Sequence, residues 1–289
     1  MNTALELPPA LAGRKGGTPT LPPGAPALLR ALNDDNIGLA DLGALIERFP
    51  PVAARLIGLA NSAWSAPASP VVSVTQACSR IGLDVIRGIA LGMTVALPFN
   101  PKRCAGFDSE RFWVSAMLSA DIAPRLAEAS GAWSGLDVHA ARTAGLLHNL
   151  GLQWLADRMP AETNAAIAAI TGWEADSGEA QPTLDQSTHS ECGIGYARAG
   201  AHLCRQWQLP PVLVCAVEHQ AERDYRGDGW QAAMLIRMAA DIANGVFRQV
   251  PVATCADLPI SADIQRAISQ RAAARLDDTR AMVRALFPG

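Results

Sequence analysis

Arg142-Thr143-Ala144-Gly145-Leu146-Leu147-His148-Asn149-Leu150-Gly151-Leu152 is the stretch on which the reading of this chain turns. Ala141, Ala144, Gly145 and His148 recur at helical spacing with Leu147 beside them, which puts the imidazole on an apolar, closely packed face at a helix end. A histidine there needs a partner. An aspartate in the next position would complete a ligand pair, the imidazole giving a nitrogen and the carboxylate the charge that offsets a cation. The residue present is Asn149, which offers a neutral carbonyl oxygen. That amide turns the reading from catalysis towards binding.

The helical pattern continues on both sides. Asp137 can cap the helix that ends in His148, and Phe112, Trp113, Ala116, Met117 and Ala120 begin an earlier one, closed by residues 131–135. Further back, Leu39, Leu42, Leu45, Ile46 and Phe49 form a stripe ended by Pro50-Pro51, and Ser73-Val74-Thr75-Gln76 has capping-box spacing. Gly82 separates that helix from the next. Residues 66–70 can only be a loop, and 98–106, with two prolines and a glycine, mark a subdomain boundary. Downstream, helices are expected from Leu152 and over 162–170, then a polar loop over 172–186. Thr188-His189-Ser190-Glu191 reads as a second capping box opening a helix with a small-residue ridge of Gly193, Ala197, Gly200 and Ala201. Helices over 212–219 and 230–246 follow, with one or two more over 261–286. No run alternates as a strand would, so the expected fold is all-α.

The chain has 289 residues, 49% hydrophobic and 18% charged, with no apolar span of membrane-crossing length and no basic-then-apolar leader. A cytoplasmic protein without membrane contact is expected. The net charge of −3 argues against a broad nucleic-acid footprint, and most basic residues are arginine. Cys78, Cys104, Cys192, Cys204, Cys215 and Cys255 form no C-x-x-C pair and read as free thiols. Residues 1–20, rich in Pro, Gly and Ala, are expected to form a flexible leader.

Among five histidines, His148, His189 and His219 stand at expected helix ends, where a turn can aim a side chain into a shared cleft. His202 lies thirteen residues after His189, on nearly the opposite face of a straight helix. Asp241 is an acid within an apolar helix, which calls for a histidine or arginine partner or for a metal ion. Cys215 and His219 share a helical face, a spacing that ordinary packing also produces. No phosphate-binding loop, dinucleotide fingerprint, G-x-S-x-G elbow or H-E-x-x-H helix is present.

These residues, taken in order, resemble the HDOD domains, the HD-related output domains of bacterial signalling proteins. The resemblance is carried by Leu21-Pro22-Pro23, Leu59-Ala60-Asn61-Ser62-Ala63, Val72-Ser73-Val74-Thr75-Gln76-Ala77, Ile81-Gly82-Leu83 and Phe112-Trp113. It continues through Gly145 to Gly151, Thr188-His189-Ser190-Glu191-Cys192-Gly193 and Trp207-Gln208-Leu209-Pro210. It implies an N-terminal helical bundle, residues 21–105, packed on an HD-like helical bundle, residues 106–289. It also implies descent from HD and HD-GYP phosphohydrolases with ligands lost: Asn149 replaces the aspartate, Ser115 stands near an expected histidine, and Asp241 matches the final aspartate. His189 and His219 fall near positions that some HD-GYP enzymes use for further metals.

The expectation is a non-catalytic output or regulatory module acting through protein–protein contact, with receiver or cyclic-di-GMP signalling proteins as partners, no cofactor, and no nucleic acid or membrane. His148, Asn149, His189, His219 and Asp241 are vestigial metal-ligand candidates, with no metal expected. The alternative is a degenerate metal-dependent phosphohydrolase, and a third reading is a nucleotide-sensing cleft without turnover.

Overall fold

Caps, prolines and glycines set the helix boundaries of this chain, and the computed structural model, which describes residues 7–12, 17–32, 34, 36–62, 65, 69–171 and 181–287, resolves where each one acts. The N-terminal helices are α1 (Pro9–Ala12), α2 (Ala25–Leu32), α3 (Leu39–Glu47), α4 (Pro50–Ala60), α5 (Val74–Ile81) and α6 (Leu83–Ala96). A 3-10 turn, Pro101–Arg103, leads to α7 (Ser109–Ser130), and another, Gly131–Ser134, to α8 (Val138–Leu147). Then come α9 (Leu150–Arg158), α10 (Pro160–Thr171), α11 (Leu184–Cys192), α12 (Tyr196–Gln206), α13 (Pro211–His219), α14 (Trp230–Arg248), α15 (Ala262–Ala274) and α16 (Leu276–Leu286). No strand occurs among the described residues, so the all-α expectation holds.

Several boundaries form as the residues imply. Ser73 accepts from the Gln76 amide, and Gln76 reaches back to the Val72 N–H, one residue earlier than in a strict capping box. Gly82, at φ 94°, separates α5 from α6. Asp137 accepts from the Ala140 N–H and opens α8. Asn61 pairs its side-chain amide with both the N–H and the carbonyl of Val71, closing the connection between α4 and α5.

The region after α10 differs from expectation. The capping box that opens α11 is Thr183–Gln186, so residues 184–186 are helical rather than loop, and residues 172–180 lie outside the described set. Thr188, expected to start a helix, sits inside α11. Its hydroxyl donates to the Leu184 carbonyl and accepts from the Tyr196 N–H at the start of α12. Both 183–186 and 188–191 carry the spacing of a box, and Gly193 at φ 75° ends α11, so of the expected small-residue ridge only Ala197, Gly200 and Ala201 share a helix, α12. His189 and His202 therefore belong to different helices, and the argument that a single helix holds them on opposite faces does not apply.

The segment to Thr20, expected to be a flexible leader, packs against the body in its described parts. Leu11 is fully buried, and the Trp207 indole donates to the Pro19 carbonyl at 2.9 Å. One turn of helix is too short to show periodicity in sequence.

Helix α7 is the axis of the molecule. It packs on α8, α14, α15 and α16, while α6 lies on α8 and α16 on α4. One apolar core runs through both halves, from Leu28 and Ile89 through Leu118 and Trp154 to Leu286. Burying side chains of this size stabilises the fold by about 1.5–3 kcal/mol each. Two glycines set the closest approaches: a Cβ on Gly145 would lie 2.6 Å from the Ser119 carbonyl oxygen, and one on Gly151 2.0 Å from that of Tyr196. The first brings α8 onto α7, the second α9 onto α12.

Candidate functional site

The close α7–α8 contact at Gly145 drives the C-terminal end of α8 into the core. His148 follows α8 at 3% exposure, and its Nδ1 lies 2.7 Å from the Gly145 carbonyl oxygen. Nδ1–H therefore donates, and Nε2 carries the lone pair. Burial pushes the imidazole pKa down to about 4, against the smaller upward pull of that hydrogen bond, so the ring is neutral at pH 7. Asn149 is buried too. Its Nδ2 donates to the Phe112 carbonyl at 3.2 Å, while its Oδ1 has no partner among the described residues.

Around this pair the chain builds a neutral network. Gln220 Nε2 donates to the His148 carbonyl and to the Tyr196 hydroxyl, each at 3.2 Å. Burial raises the Tyr196 phenol to about 12, with the Asp185 and Asp241 charges adding to the effect. Asp185 in turn accepts from the Ala197 N–H at 2.9 Å, where the N-cap of α12 is Gly195 and has no side chain of its own. Asp185 thus caps α12 from α11.

Among the described residues the side chains of the remaining candidates make no hydrogen bond to this network, although the Asp241 charge acts on Tyr196. His189 is exposed in the last turn of α11. His219 stacks on Tyr225 with ring centroids 3.7 Å apart, and its Nδ1 is 3.3 Å from Glu222. Asp241, expected to be an acid embedded among apolar residues, lies on an exposed face of α14 and lines a polar pocket with Arg223, Arg237 and Arg248. Among the described residues its carboxylate forms no hydrogen bond or close ion pair, but the Arg223 and Arg237 charges act on it, pulling down a pKa that burial raises. The α14 sequence is apolar on one side only, and Asp241 occupies the other. Ser115 is buried in α7. His202 stacks on Trp154 at 5.7 Å and meets Thr18 Oγ1 at 3.1 Å.

Among the described residues no three His, Cys, Asp or Glu side chains come together as a cation-ligand set. The donor set does not fit a divalent cation, because the buried pair supplies a neutral imidazole nitrogen and a neutral amide oxygen, with no carboxylate beside them to offset the charge. A nucleophilic thiol is equally disfavoured. Cys215 donates to the Asp228 carbonyl at 3.0 Å, and burial raises its pKa. Tyr196, Asp185 and Gln220 join this site without a local sequence pattern that marks them.

No described helix is long and apolar enough to cross a membrane. A family model for the HDOD domain matches residues 18–223. A Treponema pallidum protein described as an "Uncharacterized protein" is 25% identical over 211 residues, 72% of this chain and 38% of that protein. This chain therefore spans well under half of that relative's length. A crystal structure of a "Putative signal transduction protein" from Marinobacter aquaeolei VT8 matches with a TM-score of 0.74 and 25% identity, over 93% of this chain and 60% of that one. One of a "Putative phosphohydrolase" from Shewanella amazonensis SB2B matches with a TM-score of 0.68 and 23% identity, over 96% and 98%. The latter establishes a shared fold.

Proposed function

This chain belongs to the HDOD domain family, and from that premise we propose that it is a non-catalytic signal-transduction output module that acts by binding another protein. The observation that carries the reading is Asn149. It puts a neutral amide, its NH2 on the Phe112 carbonyl, beside a neutral, buried His148, where metal-assisted hydrolysis would need an anionic ligand and an ion to activate water. That no three His, Cys, Asp or Glu side chains among the described residues form a cation-ligand set supports the same reading, as does the likeness to the Marinobacter protein. The partner class is a receiver or cyclic-di-GMP signalling protein, met in the cytoplasm. Residues 21–105 and 106–289 form the two helical subdomains of the module.

The test is hydrolysis. Purified protein supplied with manganese or iron should leave cyclic dinucleotides and nucleotides intact. Turnover that His148→Ala abolishes would establish the second reading, a degenerate phosphohydrolase. That reading draws its support from the unpartnered Asn149 Oδ1 next to the imidazole.

A further inference from the structure

A cavity of about 650 Å³ opens where α2 and α6 face α8 and the connection from α12 to α13, and none of His148, Asn149, Tyr196 or Gln220 lines it. Its volume falls within the range of small-molecule sites, roughly 300–1,000 Å³. Much of the lining is aliphatic, from Leu29 of α2, Leu91 and Val95 of α6, Leu147 of α8 and Leu213 of α13. Residues 18–21 line it too, held by the Trp207 indole on the Pro19 carbonyl and by Thr18 Oγ1 on His202.

Two polar side chains give this apolar space a chemical preference. Arg30 is the only charged residue of the lining; it is exposed, and among the described residues its guanidinium makes no hydrogen bond or ion pair. No carboxylate of the lining competes for it. Gln208 stands at φ 57°, in the left-handed region where glycine is the ordinary residue after a helix, and it lines the same cavity. Its carboxamide has no partner among the described residues. A side chain kept at such a position costs stability and calls for a use. An aliphatic chain gains by leaving water for the leucines, and a carboxylate gains charge-assisted, bidentate hydrogen bonds from a guanidinium. A cationic head would meet Arg30 with nothing to offset the repulsion.

We propose that this cavity binds an aliphatic carboxylate, its chain among the leucines and its head at Arg30 and Gln208. The inference goes beyond the output-module reading by giving it a small-molecule input, and its test does not involve hydrolysis. Calorimetry on the full chain would use hexanoate, octanoate and decanoate below their micelle-forming concentrations, with decylamine as the cationic comparison. Each two-carbon extension should tighten binding roughly tenfold, since two more CH2 groups leave water. Decanoate should bind at least tenfold more tightly than decylamine. Arg30→Gln should weaken decanoate about fivefold, the upper range for an exposed ion pair. Arg30→Glu, at an exposed position, should melt as the parent does and bind decylamine more tightly than decanoate. The proposal is overturned by the absence of heat with millimolar decanoate, by affinity that does not grow with chain length, by equal affinity for decanoate and decylamine, or by a folded Arg30→Glu that prefers decanoate as the parent does.

Discussion

The Asn149 amide donates across 3.2 Å to the carbonyl oxygen of Phe112, joining the residue after His148 to the first turn of α7. Asn149→Asp would replace that donor with a carboxylate oxygen facing a carbonyl, inside a site 7% exposed. The loss should be about 2–3 kcal/mol in urea denaturation, since a buried donor becomes a buried charge without a partner. Manganese should not restore it, because among the described residues no three His, Cys, Asp or Glu side chains come together to hold an ion.

His148 should make folding sensitive to acid. Its pKa is about 4 in the folded chain against 6.5 for a free imidazole, so the unfolded state binds the extra proton first. This neutral ring costs nothing above pH 6.5. As pH falls from 6.5 to 4 the stability drops, by up to roughly 3 kcal/mol, and it levels off below. Denaturation midpoints across that window should show the decline, and His148→Gln should flatten it. An unchanged slope in the variant would remove His148 as the cause.

Gly151 and Gly200 hold α9 against α12. A Cβ at Gly151 would lie 2.3 Å from the Gly200 nitrogen, a backbone atom that cannot rotate away. Gly151→Ala should therefore lower stability by about 3 kcal/mol or more, because the helices must separate. Gly58, in α4, has nothing within 4 Å of an added Cβ. Gly58→Ala should raise stability by about 0.5–1 kcal/mol through helix propensity alone. Thermal melts of the two variants should move in opposite directions.

Asp185 supplies to α12 the cap that Gly195 lacks. Asp185→Ala should cost about 1–2 kcal/mol, the usual loss for an N-cap. Asp185→Asn should recover most of it, since the amide oxygen still accepts from Ala197 and the burial that raises the Asp185 pKa no longer penalises a charge. Equal losses in both variants would mean that the carboxylate charge, and not the cap, does the stabilising.

Much of the architecture was legible in local patterns. Asp137, Ser73, Gly82 and Pro50-Pro51 act within a few residues of themselves, and their capping chemistry is the same wherever the helix ends up. The second capping box was misread because 183–186 and 188–191 carry the same spacing, and which one opens a helix depends on what Thr188 meets. It meets the Tyr196 N–H, a partner supplied by α12. For Asp241 the sequence shows an acid in an apolar helix, but an average over α14 does not show which side it takes or that Arg223 and Arg237 are the charges that act on it.

The amino-acid order alone determined the helical class, most of the breaks and the amide beside His148, since each of these follows from periodicity, caps or residue identity over a few positions. The tertiary structure decided that His148 is neutral and enclosed, that Asn149 gives its NH2 to the Phe112 carbonyl, and that Gln220 and Tyr196 close around the pair. Those outcomes depend on which distant backbone arrives against each side chain, and burial, desolvation and hydrogen-bond satisfaction are properties of that meeting rather than of the residue.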